Sequence, residues 1–244
     1  MVRQARCYYL SSKCGSTLNP PGRLIDMDTS ASAAPVLRDD IAAVSVTLAK
    51  AFADDPVFRW LIGDDEGAQS AGDGSASGTG GAHIVKRAPA LFAVLCRRLM
   101  VDGGAWCTAG AESAALWTAP NRWRTNIFDL ARWAPPAVSL FGRHTLRALR
   151  ALSSMEREHP RRAHWYLSVL GTAPEHQGNG FGSAALTPML ARCDRDRLPA
   201  YLEAIKASTV PFYERHGFRV TATHDLSAIG PRLHLMWRDP ASSA

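Results

Sequence analysis

The chain of 244 residues has no run of about twenty apolar side chains, the length a helix needs to cross a hydrocarbon core. The first residues also lack the apolar stretch of a secretory signal. We therefore expect a soluble, cytoplasmic protein with no membrane partner. Five cysteines, Cys7, Cys14, Cys96, Cys107 and Cys193, are an odd set without paired short spacing, which fits a reducing compartment and argues against a disulfide framework. His164, His176 and His216 share no ligand spacing with a cysteine or carboxylate cluster, so no metal is expected and each reads as structural or surface. The basic residues, among them Arg147, Arg150, Arg157, Arg161 and Arg162, are scattered and come with no zinc-finger or RNP-like motif. A net charge of +6 then suits a small anionic ligand better than nucleic acid. No internal repeat is visible.

What is present suffices for one core: 46% of the residues are hydrophobic. Residues 1–34 are polar and irregular, and read as a flexible extension or as sequence upstream of a start at Met27. Residues 35–240 form the domain, with a Gly/Ser-rich insertion at 63–82. After Asp39, a plausible cap, Ile41, Val44, Leu48 and Phe52 mark an amphipathic helix. A second helix is expected over 83–100, with Leu91, Val94, Leu95 and Leu99 as its apolar face. Two short antiparallel strands follow at 105–109 and 113–118. Residues 127–158 read as helical but interrupted at Pro135-Pro136, and a strand pair at 219–223 and 233–238 closes the chain.

The most informative stretch runs from His164 to Phe218 as strand, glycine-rich turn, helix, strand, helix. Gln177-Gly178-Asn179-Gly180-Phe181-Gly182 opens a helix whose Ala185, Leu186, Met189, Leu190 and Cys193 recur on one face. Glycines at such a junction let the backbone curl, so that unpaired N–H groups and the helix dipole meet a bound anion, with phosphate as the expected guest. A Walker loop is excluded because no lysine follows. The dinucleotide fingerprint G-x-G-x-x-G matches at Gly178 and Gly180, with Glu203 about twenty residues on, but its third glycine is Ser183. A nicotinamide-binding oxidoreductase is thus one alternative.

The pattern Gln177-x-x-Gly180-x-Gly182, followed by Val210-Pro211-Phe212-Tyr213-Glu214-Arg215-His216-Gly217-Phe218, resembles the acyl-CoA site of the GCN5-related N-acetyltransferase (GNAT) superfamily. Within it the chain is most similar to the group of puromycin N-acetyltransferase and its bacterial relatives. The likeness is dense over 164–220, including Pro174, Pro188 and the Pro199-Ala200-Tyr201-Leu202-Glu203 strand, and upstream rests on Arg38-Asp39-Asp40 and Ala51-Phe52-Ala53-Asp54-Asp55-Pro56. The resemblance implies a single α/β GNAT-like domain. Its central sheet would be mixed but largely antiparallel, splayed at strands four and five and flanked by helices. The implied activity is acetyl transfer from acetyl-CoA to a primary amine, as of a small molecule, by direct attack in a ternary complex without a metal. A non-catalytic acyl-CoA-binding regulatory module is the second alternative.

The resemblance also assigns roles. Backbone groups of Leu170, Gly171 and Thr172 would hold the pantetheine arm, although relatives commonly carry valine where Thr172 stands. Gln177, Gly178, Asn179, Gly180, Phe181, Gly182 and Ser183 would hold the pyrophosphate. Thr209 replaces an asparagine that in many relatives contacts CoA or the acceptor, and Ile205-Lys206-Ala207 also departs from the pattern. Tyr213 would protonate the leaving sulfur, unless it is a core aromatic between Phe212 and Phe218. Strand alternation puts Glu203 on the face of Tyr201, as a candidate base or as a salt-bridge partner of Lys206. Glu156 and His159 are further base candidates. Asp54, Asp55 and Phe58 would wall the acceptor site and favour a cationic amine. Leu130, Trp133, Leu140 and Phe141 would cover that pocket or pack in the core. Cys193, on an apolar helix face, is not expected to be a nucleophile.

Overall fold

Strand alternation and helical periodicity together divide the apolar residues between two faces of one sheet. A computed structural model describes residues 32–64, 79–124, 127–227 and 230–241. The expected extension before residue 32, and most of the expected insertion, lie outside the described residues. The elements are β1 (Ala33–Pro35), α1 (Ile41–Ala51), α2 (Pro56–Leu61), α3 (Thr79–Leu99), β2 (Ala105–Thr108), β3 (Ser113–Thr118), α4 (Ile127–Phe141) and α5 (Thr145–Glu158), then β4 (Trp165–Thr172), α6 (Phe181–Arg195), β5 (Ala200–Ala204), α7 (Val210–Arg215), β6 (Arg219–Asp225) and β7 (Arg232–Arg238). The strands lie in the order β1-β2-β3-β4-β5-β7-β6. Among the described residues only the β4–β5 pair is parallel.

On one face Val44 and Leu48 of α1 and Ile84, Phe92 and Leu99 of α3 pack against Leu116, Tyr201 and Leu235. On the other, α6 sets Ala185, Leu186, Met189, Leu190 and Cys193, its expected apolar stripe, against Trp165, Leu167, Leu202 and Met236. The stripe of α3 differs from the expected one. Ile84, Ala88, Phe92, Cys96 and Leu99 form the buried seam, while Leu91 and Leu95 are only partly buried, because small residues at Ala88 and Cys96 let the helix approach closely. Pro135 and Pro136 do not break α4, which runs through to Phe141 and ends at Gly142. Both prolines follow exposed turns, where solvent can take the carbonyls that a missing N–H leaves unpaired.

Two boundaries also move. β1 pairs Ala33 with Thr108 and Pro35 with Trp106, so the folded domain begins before residue 35. A three-residue edge strand carries no periodicity that a sequence reading could use. At the other boundary, Gly80 and Gly81 look like linker by composition but are buried in the first turn of α3.

The site is positioned where β4 leaves β5. Their pairing covers Trp165↔Ala200, Tyr166↔Tyr201 and Leu167↔Leu202, and then stops. At that point the β3–β4 register shifts, from Leu116↔Val169 to Trp117↔Leu167, leaving Ser168 as an extra residue. Such a bulge increases local twist and re-aims a strand. Beyond it, β4 lies directly under α1: a Cβ on Gly171 would stand 2.9 Å from both Ala51 Cβ and Leu48 Cδ2. Gly171→Val should therefore overpack this contact and destabilise the fold by about 1–3 kcal/mol, measured as a lower denaturant midpoint at constant slope.

Candidate active site

The divergence of β4 and β5 opens a cleft of about 630 Å³. Residues 168–172 form one wall and residues 202–206 the other, with the start of α6 at one end and Tyr213 of α7 at the other side.

At the first end, Gly178 and Gly180 have φ of +80° and +81°, in the region that favours glycine, and among the described residues none beyond the adjoining ones comes within 4 Å of a Cβ built on either. Gly180 caps α6, and the N–H of Ala184 is the first to bond back, to Gly180 O at 3.0 Å. The preceding N–H groups of Phe181, Gly182 and Ser183 have no backbone acceptor among the described residues. Unpaired N–H groups at a helix start, together with the helix dipole, can receive an anion. Gln177 donates its Nε2–H to Thr172 O at 3.1 Å, tying the turn to β4. Asn179 bonds the carbonyls of His176 and Gln177 and does not line the cleft, unlike the other residues expected in this turn.

On the opposite wall Glu203 faces the cleft yet its side chain is only 4% exposed. It accepts the phenol protons of Tyr166 at 2.5 Å and Tyr201 at 3.1 Å. Burial, followed by the charge of Glu203, raises the pKa of both phenols, so both remain donors. No ion pair joins Glu203 to Lys206 among the described residues; the Lys206 charge acts on Asp55 instead. Tyr213 lines the same cleft. Its phenol pKa is raised by burial and then by the nearby Asp55 charge, so at neutral pH the group carries its proton. Thr209 also lines the cleft, with its hydroxyl donating to Lys206 O at 2.7 Å.

Of the three residues expected to bind the acceptor, only Asp55 reaches the cleft. It caps α2 by accepting the Phe58 N–H at 3.0 Å, and burial pushes its pKa up to about 6. Asp54 bonds Arg59 at 2.8 Å, and this guanidinium, 5% exposed, takes Asp64 at 2.7 Å as well. A buried cation requires these carboxylates, so Asp54 is structural. Phe58 packs against Phe52 and Phe92, at ring distances of 5.2 and 5.8 Å. Leu140 and Phe141 belong to the core, whereas Trp133 lies under Arg98 and Leu130 is exposed. Of the two phenols on Glu203, the sequence reading placed one beside it and missed the other. Strand alternation gave Tyr201, but Tyr166 requires knowing that the two strands are neighbours in register.

Asp55 gives a pH test. Its folded pKa lies above the ordinary 3.8, so the native state binds the extra proton and the associated stability is lost as pH rises from about 4 to about 6. The loss is roughly 3 kcal/mol. In Asp55→Asn, which keeps the cap, this slope should vanish, so the variant gains stability over wild type as pH rises through that window in denaturant melts.

Comparison with known proteins agrees with this geometry. The sequence profile of the acetyltransferase (GNAT) family matches residues 113–218, from β3 to the end of the α7 motif. An uncharacterised N-acetyltransferase of Schizosaccharomyces pombe is 31% identical over 84 residues, which is 33% of this chain and 33% of that protein. The match thus spans a third of the length of that relative. Among solved structures, one described as histone acetyltransferase HPA2 and related acetyltransferase, from Corynebacterium glutamicum, superposes with a TM-score of 0.59 at 26% identity, covering 88% of this chain and 99% of the other. Arylalkylamine N-acetyltransferase 2 of Aedes aegypti shares the fold, with a TM-score of 0.51 at 11% identity and coverage of 86% and 99%. Residues 113–218, which span the split strands, the glycine turn and the tyrosine helix, carry a GNAT acetyltransferase-family sequence, and the whole chain shares the fold of acetyltransferases.

Proposed function

We propose that the protein moves an acetyl group from acetyl-CoA to a primary amine of a small molecule by direct attack within a ternary complex. The observation that carries this reading is one cleft holding an N–H turn for phosphate, two diverging strand edges, a protonated phenol at Tyr213 and a buried acid at Glu203. The residues present fit the donor. The turn before α6 takes the pyrophosphate, and the free edge of Leu170, Gly171 and Thr172 takes the pantetheine amides as an added strand would.

Glu203 accepts a proton from the ammonium form of the acceptor, which frees the nitrogen lone pair to attack the thioester carbon. As the carbon–sulfur bond breaks, its electron pair goes to sulfur, which takes the Tyr213 proton, and the phenolate is reprotonated by the second proton that nitrogen sheds as the amide forms. Asp55 and Glu203 give the acceptor side negative charge, which favours a cationic amine. Cys193 is buried and its thiol is pushed up to about 12, which supports direct transfer rather than an acyl-enzyme. The nicotinamide reading finds no support in a sheet with one parallel pair, since dinucleotide folds are mostly parallel.

Two variants separate donor binding from chemistry. Gly180→Val forces a β-branched residue to a φ of +81°. Calorimetric titration should show acetyl-CoA affinity falling about tenfold or more in a folded protein; unchanged affinity would remove the pyrophosphate from this turn. Tyr213→Phe keeps the ring packing, so acetyl-CoA affinity should survive. Its kcat should drop on the order of 10²-fold with an amine identified by following CoA thiol release across aminonucleosides, aminoglycosides, polyamines, amino acids and peptides. A wild-type kcat across the pH profile would make Tyr213 a packing residue, and CoA binding without thiol release from any amine would favour the non-catalytic module.

A further inference from the structure

Behind Glu203, away from the proposed leaving group, lies a buried histidine pair that the reading above does not use. His159, just after α5, stacks on Trp123 at 4.2 Å and meets Tyr166 and Tyr201 edge-on at 4.8 and 5.0 Å. Its Nε2 is 3.0 Å from His164 Nε2, and its Nδ1 is 3.9 Å from Glu203 Oε1. We propose that His159 is a second proton acceptor: it takes from Glu203 the proton that Glu203 takes from the amine, and His164 is the positioning residue that fixes the required tautomer. The proposal rests on the reading of Glu203 as the base.

The proton positions follow from one carbonyl. His164 Nδ1 lies 2.5 Å from Arg162 O, and a carbonyl oxygen only accepts, so Nδ1 carries the hydrogen. Burial pushes the His164 pKa down to about 4, which keeps the ring neutral at pH 7 and its Nε2 bare. His159 Nε2 must therefore donate to it. That leaves His159 Nδ1, turned toward Glu203 Oε1, as the nitrogen able to gain a proton. Both Glu203 oxygens already accept phenol protons, so a further proton on the carboxylate competes with Tyr166 and Tyr201 and has a basic nitrogen beside it. In the step, an N–H bond of the ammonium breaks as a Glu203 O–H bond forms. That O–H then breaks as His159 Nδ1–H forms, leaving an imidazolium beside the restored carboxylate until the proton returns to water. The gap of 3.9 Å must close by about 1 Å, as catalytic contacts do when substrate binds. The titratable groups around His159 are Glu203 and Tyr201 on β5, Tyr166 on β4, His164 before β4, and Glu158 at the end of α5, whose charge reaches Tyr201.

Spectra of protein labelled with nitrogen-15 in its histidines test the tautomers without an acceptor or a variant. His164 should be the Nδ1–H tautomer at pH 7 and His159 should carry Nε2–H; a protonated Nε2 on His164 overturns the relay. The second test compares pH profiles of kcat/KM for wild type, Glu203→Gln and His159→Gln with an amine from the panel above. Glu203→Gln should lose about 10²-fold. His159→Gln should keep its acetyl-CoA affinity, lose about tenfold or more at the plateau, and move its acid limb to lower pH, because a carboxylate alone then sets the limb. If Glu203→Gln is impaired while His159→Gln keeps both rate and limb, the relay is wrong and the base stands. If Glu203→Gln keeps the wild-type rate, the base reading falls and the relay with it. A His159→Gln that fails to fold leaves the decision to the tautomers.

Discussion

The structure depends on where a parallel strand pair stops. Backbone N–H and C=O groups must find partners when they leave water, so two strands rarely part inside a sheet without something to take up their hydrogen bonds. Here β4 and β5 part after Leu167 and Leu202, yet each stays paired on its far side, β4 with β3 as far as Thr172 and β5 with β7 as far as Ala204. The facing edges are held apart by their outer neighbours, and the gap is part of the fold. The extra residue Ser168 absorbs the change of direction: its hydroxyl bonds Thr118 at 2.7 Å, which anchors the bulge to the strand that stays straight.

The carboxylates divide by the kind of partner that holds them. Asp54 is matched to the guanidinium of Arg59, and Asp194 to that of Arg238 through bonds of 2.7 and 2.8 Å. The Arg238 hydrogen bonds hold the Asp194 pKa below the usual range, and the same arginine donates to His216 O at 2.9 Å, joining α6, α7 and β7. Both acids serve the scaffold. Asp55 and Glu203 are held by backbone N–H groups and phenols, which are neutral donors, and neither is matched to a guanidinium among the described residues. Both face the cleft. Neutral partners orient an acid without cancelling its charge, which suits groups that must exchange a proton or attract a cation.

The sequence was most legible where one element alone determines the outcome. The stripe of α6, the glycine turn and the tyrosine after Val210-Pro211-Phe212 are local patterns, and each lands where its spacing places it. The seam of α3 was obscured because Ala88 and Cys96 contribute closeness rather than hydrophobic bulk. Asp54 and Asp55 are adjacent and chemically alike, and only the position of Arg59 separates their roles. The surroundings of Glu203 were the least legible. Tyr166, Tyr201, His159 and His164 come from three segments that meet only once β4 and β5 pair in register.

The close seat of Gly171 on α1 has a mechanical meaning. With a hydrogen in place of a side chain, the outer part of β4 rests on Leu48 and Ala51 without a compressible layer between them. Interiors packed this densely transmit displacement rather than absorb it. Since α1 leads through Phe52 to Asp55, this contact links the outer part of β4 to a carboxylate that lines the same cleft. A backbone seated this closely cannot yield toward α1, so residues 170–172 present a fixed edge to the cleft.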